Sequence, residues 1–443
     1  MAEAPDKAGD PEHTPGGKDT APDSRETAPD GKEAATGFPL LTVLGLMAGI
    51  FAVGSEELVV SPLLVDMAEA FDTTVAVMAL SVSTYGIGTA VGALLFAPLG
   101  DRVSRRLTLL AGMAVFIVGT VLCALATGPG VFFTGRALAG LATGAFVPAA
   151  YAFVGDQIPF RHRGRAMGIV VSSWSLSLVL GVPVGAYIGQ WTGWRWTFGV
   201  LSILGAFVML VLLRTRDQRR PADGPPEAAG PAARGWTRSA ARVLLLPRVA
   251  VYVLATFLNM LGFYGMYTFL GSALDYRFGI DSPLTSLMIL LYGLGFATSF
   301  ATGKWADDQG KERVLVGLLA GLVPALVVIP LVARWTPVLV LCLFLWGAMQ
   351  SLVVTLLSTL LSECSHRHRG TVLAFYSLAT NIAVALGAAL LGPLFTAHGL
   401  SAVGWTCAGI TLVAFGLSGW AYLHGDERNP PDARREKVMA HED

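Results

Sequence analysis

Residues 161–164 read Arg161-His162-Arg163-Gly164, and residues 367–370 read Arg367-His368-Arg369-Gly370. The two tetrapeptides are identical and lie 367 − 161 = 206 positions apart. A second pair of segments keeps the offset. Asp101-Arg102-Val103-Ser104-Arg105-Arg106 is matched by Asp307-Asp308-Gln309-Gly310-Lys311-Glu312, and 307 − 101 is again 206. Two independent motifs at one spacing mark an internal duplication, a parallel repeat of one unit.

Long apolar runs fill the space between these motifs. The chain has 443 residues, 53% apolar and 14% charged, against about 25% charged in an ordinary soluble domain. So few charges cannot coat two or three soluble domains, and the apolar content excludes disorder for most of the chain. Runs of about 18 or more apolar residues span a bilayer as helices. Twelve such spans are expected, at 40–63, 74–100, 105–127, 130–154, 165–190, 194–214, 249–274, 283–306, 312–334, 336–361, 370–396 and 400–424. The runs are continuous rather than alternating, which points to helices and not to a barrel. Residues 1–38 are rich in Pro, Gly, Asp, Glu and Thr and read as a disordered tail without a signal-peptide pattern. The expected organisation is that tail, a six-helix bundle over 39–214, a Pro/Gly/Arg-rich linker over 215–248, a second bundle over 249–424, and a charged tail over 425–443. With the N-terminus inside, 27 of the 31 Lys and Arg fall on the inner side, and Arg195, Arg277 and Arg334 on the outer. The positive-inside rule then places both termini in the cytoplasm of a multi-pass protein of the plasma (inner) membrane. The four cysteines lack metal-ligand spacing and read as small packing residues. No metal site is expected.

These residues carry a resemblance to the major facilitator superfamily over nearly all of 38–424. The family's loop signature is G-x-x-x-D-[RK]-x-G-[RK]-[RK]. The second copy keeps Gly303, Asp307, Gly310 and Lys311, with Asp308 and Glu312 where bases are usual. The first keeps Asp101, Arg102, Arg105 and Arg106, with Ala97 and Ser104 in place of the glycines. Span five holds Gly181-Val182-Pro183-Val184-Gly185, similar to the Gly/Pro signature of the family's antiporters. Arg136 with Gly140, Gly54-Ser55-Glu56-Glu57-Leu58, and Gly193-Trp194-Arg195-Trp196-Thr197-Phe198 resemble the twelve-span drug/proton antiporters and their sugar-efflux relatives. The resemblance implies an all-α fold of two pseudo-symmetric six-helix bundles, and proton-driven efflux by alternating access. It implies that the loop residues Asp101, Arg102, Arg105, Arg106, Asp307, Gly310 and Lys311 latch helix ends. Asp156 and Glu363, closing spans four and ten, are the acids such basic loops can hold, and charge pairs at a moving interface bias a two-state equilibrium.

Three charges lie well within the spans: Glu56, Glu57 and Arg136. Ionisable groups at membrane depth are costly and are functional candidates by default. Glu57 is 17 residues past Leu40, about 26 Å along at ~1.5 Å per residue. Arg136 is 6 residues past Gly130, about 9 Å from the other side by the same rise. In a core of roughly 30 Å the two depths are similar, so one glutamate can reach Arg136. Adjacent glutamates diverge by about 100° on a helix and do not share a direction. The family pattern aligns Glu57 with the usual proton carrier; Glu56 is a second cavity candidate. A cationic or polar substrate near Glu57 would compete with the proton.

Gly168, Gly181, Gly185 and Gly189 suit close helix approach, and Pro183 suits a bend or a freed carbonyl. Polar or aromatic cavity candidates are Tyr85, Trp174, Asn259, Tyr264, Tyr267, Tyr292, Gln350, Tyr376 and Asn381. The positions 206 beyond Glu57 and Arg136 are Phe263 and Cys342. Coupling is therefore expected in the N-terminal half, with the C-terminal half as an apolar wall, which suits an amphiphilic substrate. Sugar or metabolite efflux and nutrient symport are the alternatives within transport. A membrane enzyme would need a catalytic cluster at depth, and the histidines lie in tails, loops and span ends. A sensor would need a folded output domain, which neither tail nor linker can form. There is no G-x-x-x-x-G-K-[ST] loop, so the proton gradient is the expected drive, with no cofactor. A monomer that handles protons and a small molecule in the bilayer, without nucleic acid, is expected.

Overall fold

The computed structural model describes residues 40–96, 103–158, 160–215, 242–278, 282–298, 305–306, 308–365 and 369–424. Its helices, in chain order, are α1 (Leu40–Leu58), α2 (Val60–Ala70), α3 (Val75–Phe96), α4 (Arg105–Ala124), α5 (Pro129–Gln157), α6 (Phe160–Leu176), a π-helical turn (Ser177–Gly181), α7 (Val182–Thr192) and α8 (Trp194–Arg214). They continue with α9 (Pro247–Phe278), α10 (Ser282–Ala297), α11 (Lys311–Val332), α12 (Thr336–Cys364) and α13 (Arg369–Leu423). No strand occurs among the described residues.

Ten of the described helices are long and apolar enough to cross a membrane, one of them running across the π-turn. The longest is two helices joined at Gly399, whose φ of 74° breaks the helix. The shorter apolar helix α10 stands where the eighth span is expected. The arrangement agrees with twelve spans. The first span differs from its expected 40–63 bounds: it runs on to Ala70 as two helices, α1 and α2. Pro62 has no N–H to donate to the carbonyl of Leu58, and the ladder breaks at Val59, two residues past Glu57.

Lipid tails are as apolar as leucine, so these helices associate through close packing rather than through burial from water. Glycines supply it. On α3 and α5, Gly88 lies against the carbonyl of Ala137, and Gly140 against the carbonyl of Tyr85. The other half repeats both contacts: Gly295 lies against the carbonyl of Phe344, and Gly347 against that of Tyr292. The offsets are 295 − 88 = 207 and 347 − 140 = 207, so the duplication read in the loops is also present in the packing.

The halves meet along α2 and α9, α3 and α13, and the π-turn with α7 and α10. Gly271 lies against Pro62, Gly293 against the carbonyl of Leu178, and Gly86 against the backbone of Asn381 and Ala385. Ser61 Oγ donates to the carbonyl of Tyr267 at 2.6 Å, a pair 206 residues apart. That separation is the repeat offset itself, so the first helices of the two halves touch at equivalent positions, on the pseudo-two-fold axis.

Ser104 accounts for a departure from the loop signature. Gly310 precedes α11 with φ 90°, a conformation that favours glycine. Ser104, 206 residues earlier, precedes α4 with φ −61°, and its Oγ accepts the N–H of Leu107 at 3.2 Å. One copy starts its helix with a left-handed glycine, the other with an N-cap. Ser104→Ala is expected to destabilise the α4 terminus by about 1 kcal/mol and Ser104→Gly by only a few tenths. Thermal unfolding in detergent checks the order; a Ser104→Gly variant that melts below Ser104→Ala would overturn it.

Candidate transport site

The break between α1 and α2 puts Glu56 and Glu57 at the centre of the structure, and they diverge. Glu56 has 0% exposure and so has Arg136. Arg136 Nη1 donates to Glu56 Oε1 and, at 2.8 Å, to the Glu56 carbonyl. Its Nε reaches the carbonyl of Ser81 at 3.4 Å, and Nη2 that of Glu57 at 3.5 Å. The guanidinium lies 4.4 Å from the centroid of the Tyr85 ring, a cation–π contact. Tyr85 in turn shares a 2.8 Å hydrogen bond with Thr143 and donates to the carbonyl of Val53 at 3.3 Å. The expected glutamate–Arg136 pair is therefore present, and Glu56 is its acid.

Glu57 keeps 9% exposure. Its Oε1 accepts the hydroxyl of Tyr264 at 2.5 Å, across the two halves. Glu57, Leu58, Ser61, Val82, Tyr264, Tyr267 and Thr268 line a cavity of about 10 Å³, on the order of the room one water needs. The sequence placed coupling in the N-terminal half, with an apolar wall opposite. The wall opposite is not wholly apolar: Tyr264, the side-chain partner of Glu57, belongs to the C-terminal half. A residue-by-residue comparison at the 206 offset misses it because Tyr264 stands one position beyond Phe263.

Beyond Tyr264 the C-terminal half holds a buried aromatic cluster. Phe263 lies 5.5 Å from Tyr267, 6.1 Å from Tyr292 and 5.8 Å from Trp346, and Tyr292 lies 4.8 Å from Trp346. The hydroxyls of Tyr267 and Tyr292, both amide atoms of Asn259 and Nε2 of Gln350 are buried without a partner among the described residues. Five of the cavity candidates (Asn259, Tyr264, Tyr267, Tyr292 and Gln350) thus belong to α9, α10 and α12. Phe263, Trp346 and Ser61 were missed by the sequence reading. The first two look like ordinary packing residues, whereas Ser61 was findable as the repeat partner of Tyr267.

Trp174, Tyr376 and Asn381 do not join this cluster. Trp174 Nε1 donates to the hydroxyl of Tyr151 at 3.0 Å. Tyr376 is half-buried on α13. Asn381 spends its amide on its own helix, donating to the carbonyl of Ser377 at 2.8 Å.

The fifth span carries the π-turn at the Gly/Pro signature. Pro183 cannot donate to the carbonyl of Val179, and the helix widens there instead of breaking. Gly181 lies against Ser55, Gly185 against Val59 and Thr197, and Gly189 against Leu63. Ser177 Oγ donates to the carbonyl of Phe51 at 3.0 Å. Gly168 departs from expectation: among the described residues no atom of another helix lies within 4 Å of the place its Cβ would take, so no close approach is seen there.

Asp101, Arg102 and Asp307 lie outside the described residues. Arg105 pairs with Asp156 at 3.1 Å, and Lys311 with Glu363. The pairs are related by the repeat (311 − 105 = 206, 363 − 156 = 207), and each ties two helices within one half. Their acids are about half exposed, 53% and 43%, so each pair contributes under about 1 kcal/mol. The next position differs between copies. Arg106 donates to the carbonyls of Leu212 and Leu213 at the end of α8. Glu312 instead accepts from Tyr252 at 2.8 Å and faces Arg248 at 3.5 Å, at the start of α9. The unusual acid is thus differently paired. Among the described residues no group of three His, Cys, Asp or Glu could hold a metal ion.

The fold and the duplicated loops define a membrane transporter, and comparison with known proteins agrees. The Major Facilitator Superfamily profile matches residues 46–296 and 252–441. "Uncharacterized MFS-type transporter YwfA" of Bacillus subtilis is 52% identical over 387 residues, 87% of this chain and 93% of that one. A "Probable sugar efflux transporter" of Helicobacter pylori is 25% identical, over 85% of this chain and 94% of that one. The crystal structure of a D-xylose-proton symporter superposes with a TM-score of 0.73 at 16% identity, over 86% of this chain and 97% of that one. The chain belongs to the major facilitator superfamily. It is a multi-pass membrane transporter, not an enzyme.

Proposed function

We propose that this protein is a proton-coupled exporter of drug-like or amphiphilic small molecules, working by alternating access with Glu57 as proton carrier. It acts as a monomer in the plasma membrane with both termini cytoplasmic, and needs no cofactor besides the proton gradient. The observation that carries the reading is the division of labour between neighbouring glutamates. Glu56 is committed to Arg136 and fully buried, whereas Glu57 lines the cavity, keeps some exposure, and has a neutral hydroxyl as its side-chain partner. Such a carboxylate can exchange a proton for a substrate without breaking the ion pair behind it. The Gly/Pro segment of the fifth span packs directly against α1 at Ser55, beside the pair, which supports a role in sealing the site.

Export of sugars or other polar metabolites is the second reading. It is favoured by the partnerless buried groups of Asn259, Gln350, Tyr267 and Tyr292, which need hydrogen bonds that a polar substrate supplies. Uptake by proton symport uses the same residues in the opposite sense.

Glu57→Gln is expected to abolish proton-driven transport while leaving the protein folded. A susceptibility panel of cells with and without the protein, with the variant and with a protonophore, identifies the substrate group and tests the drive. Full transport by Glu57→Gln in proteoliposomes, or resistance indifferent to the protonophore, would sink the assignment.

A further inference from the structure

We infer that Tyr264 is a coupling lock: its hydroxyl holds the Glu57 carboxylate across the two halves until a substrate takes its place, and so keeps the empty, deprotonated transporter from opening along this seam. The inference rests on Glu57 being the proton carrier.

The seam runs along α9 from the last turn of α1 into α2. Glu57 takes the Tyr264 hydroxyl at 2.5 Å. One turn on, Ser61 Oγ donates to the carbonyls of Tyr267 at 2.6 Å and Thr268 at 3.1 Å. Next to it, Pro62 lies against Gly271. Of these contacts, only the first changes with a proton. A hydrogen bond to an ionised carboxylate is roughly twice as strong as one between neutral groups. Ionised Glu57 therefore favours the joined halves, and protonated Glu57 releases them.

Among the described residues, Tyr264 is the side chain that donates to the Glu57 carboxylate. Among the described residues, the titratable and charged groups around Glu57 are Glu56 on its own helix, Arg136 on α5, Tyr85 on α3, and Tyr264 and Tyr267 on α9. Arg136 donates its Nε to Ser81 and its Nη1 to Glu56, and reaches only the backbone of Glu57. The Tyr85 hydroxyl is held by Thr143 and Val53. Tyr267 lines the cavity, but among the described residues its hydroxyl has no hydrogen-bond partner and does not donate to Glu57.

An exchanger that opens outward while deprotonated and empty, picks up a proton and returns has carried that proton for nothing. The Tyr264 bond opposes this step. Substrate overcomes it by bringing a hydrogen-bond donor or a positive charge to the carboxylate in place of the tyrosine. A proton then displaces the substrate by adding to the same carboxylate. The lock thus narrows the substrate to molecules carrying such a donor or cation.

The proton-leak measurement needs no known substrate. Proteoliposomes holding a trapped pH dye are given a pH gradient. Wild type is expected to be tight. Tyr264→Phe is expected to leak protons at least about tenfold faster, the factor that corresponds to about 1.4 kcal/mol. Glu57→Gln and Glu57→Gln/Tyr264→Phe are expected to be tight. A tight Tyr264→Phe beside a transport-dead Glu57→Gln overturns the lock and leaves the carrier reading standing. A double variant as leaky as Tyr264→Phe also overturns the lock, because the proton then bypasses Glu57. Closure is read separately by a disulfide between Ala76→Cys and Gly392→Cys, with the four native cysteines replaced by alanine. A Cβ at Gly392 would lie 3.4 Å from that of Ala76, close to the usual disulfide spacing. The fraction cross-linked should rise with pH more steeply in an otherwise wild-type background than with Tyr264→Phe, where the growing thiolate fraction alone contributes. A wild-type pH profile in Tyr264→Phe overturns the proposal.

Discussion

Arg136→Met is expected to leave little folded protein. The substitution strands Glu56 at 0% exposure with its carboxylate deprived of Arg136. Removing one partner of a buried ion pair costs about 3–5 kcal/mol, and the net stability of a whole domain is only about 5–15 kcal/mol. The Tyr85 ring also loses the cation stacked on it, and the carbonyls of Ser81, Glu56 and Glu57 lose a donor. Removing both charges should undo most of the damage, because the desolvated carboxylate goes with them. The expected order of melting temperatures in detergent is wild type, then Glu56→Gln/Arg136→Met, then Arg136→Met well below. Glu57→Gln, by contrast, should melt close to wild type. An Arg136→Met protein as stable as wild type would remove the structural role from the pair.

Gly140→Val is the second large effect. A Cβ at Gly140 runs into the carbonyl of Tyr85, which is backbone and cannot swing aside. Helices α3 and α5 must then separate, at the level where Arg136 and Tyr85 meet. Overpacking costs about 1–3 kcal/mol and occasionally more. A collision with backbone at a glycine crossing belongs at or above the top of that range. Gly347→Val should behave alike, since Gly347 meets the carbonyl of Tyr292 in the same way. Gly168→Ala is the control, with no neighbour in reach. Equal expression and melting of Gly140→Val and Gly168→Ala would show that the crossing tolerates a side chain.

Much of this fold was legible because a membrane leaves a chain few choices. Apolar run length sets the spans, and the recurrence of Arg-His-Arg-Gly sets the duplication. The depth of Glu56, Glu57 and Arg136 followed from counting residues along helices, and so did the divergence of the two glutamates. The choice of Glu56 as the partner of Arg136 did not follow. It depends on the rotation of α1 about its axis, which its neighbours decide. Tyr264 was legible as a polar group in a span but not as the partner of Glu57. That contact crosses between halves and follows from how they dock. The break at Val59 follows from Pro62, which stands beside the expected span end at residue 63, where a proline resembles a terminus.

The pairing of Glu56 with Arg136 has an electrical consequence. Of the three buried charges at the site, two cancel, so the site carries one net negative charge with Glu57 ionised and none with Glu57 protonated. An exchange of one proton for an uncharged molecule then moves one positive charge inward per turnover. The transmembrane voltage adds to that cycle about 2.3 kcal/mol per 100 mV. Exchange of one proton for a singly charged cation moves no net charge, and only the pH difference drives it. The same protein would thus draw on voltage for one class of cargo and ignore it for another.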